Sequence, residues 1–171
     1  VAPGEAPAGV LEIPEAVRDL ISQIGKLTPP SSAGEMSKYH AERAALLEQV
    51  VAKLQGAQQE PWLRQVIDAY ASAAEGSGAE SPAMQRLKQW KSQIEQAAPK
   101  SAAASYAAFR VLSAEYTQRL ADPKADYPKV QTWWKEQLEA FLGQHAASEE
   151  APEAMNRLAQ SLEFSGKDSE A

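Results

Sequence analysis

Leu63-Arg64-Gln65-Val66-Ile67-Asp68-Ala69-Tyr70 and Phe109-Arg110-Val111-Leu112-Ser113-Ala114-Glu115-Tyr116 are the two stretches that decide the fold. Each places large apolar residues at i, i+3 and i+7, the spacing of one face of an α-helix. They stand 46 residues apart. The same step backward reaches Val17, Leu20 and Ile24, and forward it reaches Met155, Leu158 and Leu162. A further position of the stripe runs Ile21, Ile67, Ser113, Ala159. Four helices therefore share one register, and self-similarity at a fixed period marks a repeat architecture. The helices between them align less well. Met84 and Leu87 step to Val130 and Trp133, whereas the second helix does not follow.

Working outward, start and stop signals delimit seven helices. The first runs over about 14–27, with Pro14 in its opening turn and Thr28-Pro29-Pro30 at its end. Ser32 with Glu35 has the pattern of a capping box for the second, which continues through Leu46, Leu47, Val50, Val51 and Leu54 to about Gln55, with Gly56 as its C-cap. The third opens at Pro61, carries Trp62, and closes at Gly76-Ser77-Gly78. Ser81-Pro82 starts the fourth, with Met84, Leu87, Trp90 and Ile94 inward, and Pro99 stops it. The fifth spans about 102–121, and Asp126 to Pro128 begins the sixth, with Val130, Trp133, Trp134, Leu138, Phe141 and Leu142. Adjacent Trp133 and Trp134 cannot both point inward, so one belongs at a rim. The seventh begins near Pro152 and ends at Gly166. Asp168-Ser169-Glu170-Ala171 read as the first turn of an eighth helix that is cut off. No stretch has the period-2 alternation of a strand. The expectation is an all-α fold of stacked helical hairpins, about seven helices over residues 13–171, behind a flexible Ala/Pro/Gly-rich lead-in at 1–12.

Composition narrows the function classes. A chain of 171 residues with 44% hydrophobic side chains can build a core. Its apolar runs are far shorter than the ~20 residues a membrane span needs. With 17 basic and 23 acidic residues the net charge is −6, so the global basic footprint of a nucleic-acid binder is missing. There is no cysteine, which excludes disulfides, thiolate nucleophiles and cysteine-ligated metals within these residues. The chain begins at Val1 without Met, which suits either a trimmed chain or a mature one after signal-peptide removal; the expectation is export to the periplasm or cell envelope of a bacterium.

Met155, Leu158, Ala159, Leu162, Gly166 and Ala171 resemble the tetratricopeptide pattern of large, Leu, small, large, turn Gly and helix-contact Ala. Phe109, Leu112, Ser113 and Tyr116 follow it more loosely. The 46-residue period exceeds the family's, and Ile21 and Ile67 occupy its small position. The resemblance implies a right-handed, tetratricopeptide-like α-solenoid. In style, though not in motif, the Ala- and Gln-rich helices also resemble the helical region preceding a TlpA-type thioredoxin-like domain in bacterial envelope proteins. That likeness implies a covalently linked C-terminal domain beyond Ala171.

No enzymatic constellation emerges. His40 and His145 sit on different helices without a partner histidine at i+4, and Gly76-Ser77-Gly78 follows no strand and precedes no Lys-Ser/Thr pair. Glu149, Glu150 and Glu153 are accounted for as dipole-complementing residues at the start of the seventh helix. Neither cofactor nor metal is expected. One polar feature does follow the repeat: Arg18, Arg64, Arg110 and Asn156, with Arg157 beside the last, lie one residue past the stripe. In a tetratricopeptide-like stack that offset faces the concave groove, which implies an arginine ladder suited to carboxylates and phosphates. The ordinary reading of such a row is a solvated face with local ion pairing. The functional expectation is a non-catalytic scaffold or protein-interaction domain, with a free-standing adaptor that binds an extended or acidic peptide in its concave groove as its alternative.

Overall fold

A computed structural model describes residues 13–78 and 80–164. Among them are seven α-helices and no strand: α1 (Glu15–Lys26), α2 (Ala33–Ala52), α3 (Glu60–Glu75), α4 (Pro82–Ala97), α5 (Ala102–Ala121), α6 (Tyr127–His145) and α7 (Ala151–Phe164). The lead-in at 1–12, Gly166 and the truncated eighth helix lie outside the described residues.

The helix starts follow the capping chemistry. Oγ of Ser81 and of Ser101 accepts the backbone N–H of Met84 and of Ala104, and Asp126 Oδ1 accepts that of Lys129. Each satisfies one of the orphan donors of a first turn. At α2 the expected capping box takes another form, because the Ser32 hydroxyl donates to the Glu35 carboxylate at 2.8 Å and caps no backbone N–H. Gly56, with φ +55°, is not the C-cap of α2. It opens a short 3₁₀ turn, Gly56–Gln58, after Lys53 has closed the helix. That turn places Gln59 so that its side-chain amide donates to the Val51 and Leu54 carbonyls at 3.0 and 2.9 Å, supplying the cap from further along the chain.

Each helix packs on its successor, and α3 packs on α5 as well as on α2 and α4. The main core lies where α2, α3, α4 and α5 meet. It holds Leu47, Val51, Val66, Ile67, Met84 and Leu87 with a large contribution from alanines, among them Ala69, Ala71, Ala74, Ala104 and Ala107. A second core of Phe109, Leu112, Trp134, Leu138, Phe141 and Ala154 joins α5 to α6 and α7. A third, of Val17, Leu20, Val50 and Leu54, seats α1 on α2. Helix α5 feeds both of the larger cores and is buried nearly all round, as a helix flanked on every side must be.

The repeat register is only partly reflected in burial. Val17, Leu20, Val66, Phe109, Leu112 and Leu162 are buried, while Leu63 and Leu158 are half-buried. Met155, in the register of Val17 and Phe109, is 51% exposed. Further along the same stripe of α7, Leu158 packs against the second core and Leu162 is buried, so the cover fails at Met155 alone of the three. Of the adjacent tryptophans, Trp134 is buried and Trp133 lies at the rim, with the Arg119 guanidinium 4.0 Å above its ring. Trp90 is half-buried rather than part of the sealed core.

Candidate interaction surface

The arginines of the repeat are distributed over distinct settings. Arg18 is exposed on α1, and its Nε donates to the Ile13 carbonyl at 3.1 Å. Arg64 and Arg110 are brought together near the adjoining faces of α3 and α5. Arg64 lies 4.9 Å from the centre of the Tyr106 ring, a cation–π approach. The Tyr106 hydroxyl donates to Asp68 Oδ1 at 2.5 Å, and Arg110 Nε lies 3.1 Å from that same oxygen. This last contact is Coulombic only, because the buried Nε has no hydrogen-bond acceptor. Arg110 also lies 3.9 Å from Glu75. Arg157, on α7, donates through Nε and Nη2 to Glu153 Oε1 at 3.0 and 2.6 Å and stands over the Phe109 ring. Asn156 is exposed and, with Arg157, Tyr116, Gln131 and Trp134, lines a cleft of about 660 Å³ between α5, α6 and α7.

The carboxylates before α7 do more than complement a helix dipole. Glu149 reaches back to α3 and accepts from Arg64 Nη2 at 2.7 Å, across 85 residues of sequence. That hydrogen bond holds the Arg64 guanidinium above its usual pKa, with the charge of Glu150 acting in the same direction. Glu150 is only 8% exposed, and its Oε2 has no hydrogen-bond partner. The result is a chain of contacts over three successive odd-numbered elements: Arg64 on α3, Tyr106 on α5, and the Glu149-Glu150 turn before α7. Burial, followed by the Asp68 hydrogen bond, pushes the Tyr106 phenol up to about 12. The row of like charges read from the sequence is thus interleaved with acids.

A second polar cluster lies between α2 and α4. Glu48 Oε1 accepts from Arg86 Nε at 2.6 Å and from the Trp90 indole N–H. Burial raises the adjacent Tyr70 phenol to about 12, with the Glu48 charge adding to the effect. This cluster forms one wall of a cleft of about 770 Å³ between α2 and α4, floored in part by Leu63 of α3. A second cleft, of about 520 Å³, opens between α4 and α6 over α5. Three of their lining positions are 46 residues apart: Ala45, Gln49 and Ile94 of the first and Lys91, Glu95 and Ala140 of the second.

The histidines are apart and engaged with aromatic neighbours. His40 meets Tyr39 edge-on, and His145 lies 4.9 Å from Phe141. Burial, then the charge of Arg43, lowers the His40 pKa. Among the described residues no three His, Asp or Glu side chains are grouped as metal ligands, and no helix is long and apolar enough to cross a membrane. No protein-family model, curated protein or solved structure matches the chain.

Proposed function

We propose that the chain is a non-catalytic scaffold that binds another protein, built as a tetratricopeptide-like stack of helical hairpins. One observation carries this: a cleft opens between α2 and α4 and another between α4 and α6, with three lining positions of the first recurring in the second at the 46-residue step. Odd-numbered α3 and α5 close against each other, whereas clefts open between the even-numbered helices over them. A stack that closes on one side and splays on the other offers periodic grooves without the convergent acid, base and nucleophile that catalysis needs. Gln93 and Gln137 line the two grooves and supply donors and acceptors that suit a peptide backbone.

The test is a photo-crosslinking side chain at Gln93 or Gln137, with Lys124, in the exposed turn before α6, as the control position. The expected result is a discrete adduct with one protein from a groove position and none from Lys124. Equal adducts from all three positions, or a captured protein recovered chemically altered by the chain, would sink the proposal.

A further inference from the structure

The sequence makes the arginine row look like an anion-binding strip, yet the assembled surface carries the opposite balance. Arg64, Arg110 and Arg157 stand among Asp68, Glu75, Glu149, Glu150 and Glu153. With Lys100, which lines a cleft beside Glu149, that is four cations against five carboxylates, an excess of one negative charge. Each guanidinium already faces a carboxylate at 2.6–3.1 Å. An incoming acid would therefore have to displace an existing partner and would meet like charge around it.

Glu150 separates this surface from an ordinary acidic patch. A carboxylate more than nine-tenths buried, with one oxygen lacking any hydrogen bond, is a costly arrangement unless something completes it. It faces Arg64, but the hydrogen bond of Arg64 goes to Glu149. Tyr106 directs its hydroxyl to Asp68 and is likewise not available to Glu150. The turn before α7 thus holds two adjacent carboxylates sharing the field of one guanidinium.

We infer that the surface formed by Arg64, Tyr106, Glu149 and Glu150 takes a lysine- or arginine-bearing segment of a protein partner. The incoming ammonium or guanidinium seats beside Glu149 and Glu150. This rests on the scaffold proposal and assigns the charge of the partner. Glu149, whose side chain is 71% exposed, makes the contact, and the charge of buried Glu150 beside it adds to the attraction.

The test uses the full chain titrated with octalysine and, separately, octaglutamate, followed by amide chemical shifts in a two-dimensional NMR spectrum. Octalysine should move the signals of Arg64, Tyr106 and residues 149–151, and octaglutamate should leave them in place. Glu149→Gln/Glu150→Gln should weaken octalysine binding by roughly tenfold or more, the scale of one lost charged contact. Glu149→Gln alone, an exposed change that leaves the core intact, should weaken it in the same direction. Glu42→Gln/Glu139→Gln removes the same charge outside this network, where Glu42 and Glu139 lie near Lys38 and Lys135, and should bind like the parent chain. Shifts spread evenly over the surface, equal weakening by both double variants, or octaglutamate binding at Arg64 would overturn the assignment. A groove adduct at Gln93 or Gln137 in the face of that result would leave the scaffold proposal standing without it.

Discussion

Between α3 and α5 the chain packs alanines; between α5, α6 and α7 it packs rings. Ala69, Ala71, Ala74, Ala104 and Ala107 contribute to the first interface, while Phe109, Trp134 and Phe141 fill the second, with Tyr116 stacked on Trp134 at 4.2 Å. Small side chains permit a short distance between helix axes, and large ones fill a wider space. One junction is therefore stabilised by close approach and the other by volume. The two should respond to opposite kinds of substitution.

The largest effect is expected where volume is removed. Trp134→Ala should cost about 3–5 kcal/mol, the range for deleting a buried aromatic. In a domain of this size that corresponds to a fall of roughly 10 °C in the melting temperature. A loss under about 1 kcal/mol would mean the aromatic core is slack, since only surface changes cost so little. At the alanine junction the expectation inverts, and adding atoms is what harms. Ala107→Leu should cost about 1–3 kcal/mol through overpacking, read by denaturant unfolding. Stabilisation by that change would show the junction to hold unfilled space.

The polar side of the comparison can be separated by pH. Tyr70 and Tyr106 titrate near 10 when unfolded, and both are held up to about 12 in the fold. Their folded state keeps the proton longer, so the stability they contribute is fully present below pH 10. It is lost as pH rises through 12. Thermal melts between pH 9 and 12 should show this decline, and Tyr70→Phe should flatten it. An unchanged slope in Tyr70→Phe would place the alkaline sensitivity elsewhere.

The all-helical class and helix positions were legible because stripes and caps are local. Ser81 and Asp126 each cap the helix that the sequence has them begin, and Ser101 caps α5 without having been singled out. The pairing of side chains across hairpins was not legible. Arg64 meets Glu149 across 85 residues, and Tyr106 meets Asp68 across 38. Such meetings depend on crossing angles and loop paths, which a periodicity does not encode. The row Arg18, Arg64, Arg110 was visible from the sequence, but the acids interleaved with Arg64 and Arg110 were not. Glu149 and Glu150 have a sufficient local explanation at a helix start, which hid their longer reach. The spacing of Trp90 places it in the core, against which it packs half-buried, but does not show that its indole N–H serves Glu48.

Met155 shows the same limit at a single residue and supplies the smallest expected effect. It shares its register with Val17 and Phe109, and by stripe alone the three should be equivalent. Val17 and Phe109 are covered by neighbouring helices, whereas Met155 is 51% exposed on α7. A stripe specifies which side of a helix is apolar; the element laid over that side decides what its burial contributes. Phe109→Ala should thus cost about 3–5 kcal/mol, as for other buried aromatics. Met155→Ala, by contrast, should shift stability by under about 0.5 kcal/mol, as exposed substitutions usually do. Paired urea titrations of the two variants measure the difference directly. If Met155→Ala cost as much as Phe109→Ala, that side of α7 would be covered in solution, and the difference between the two positions would vanish.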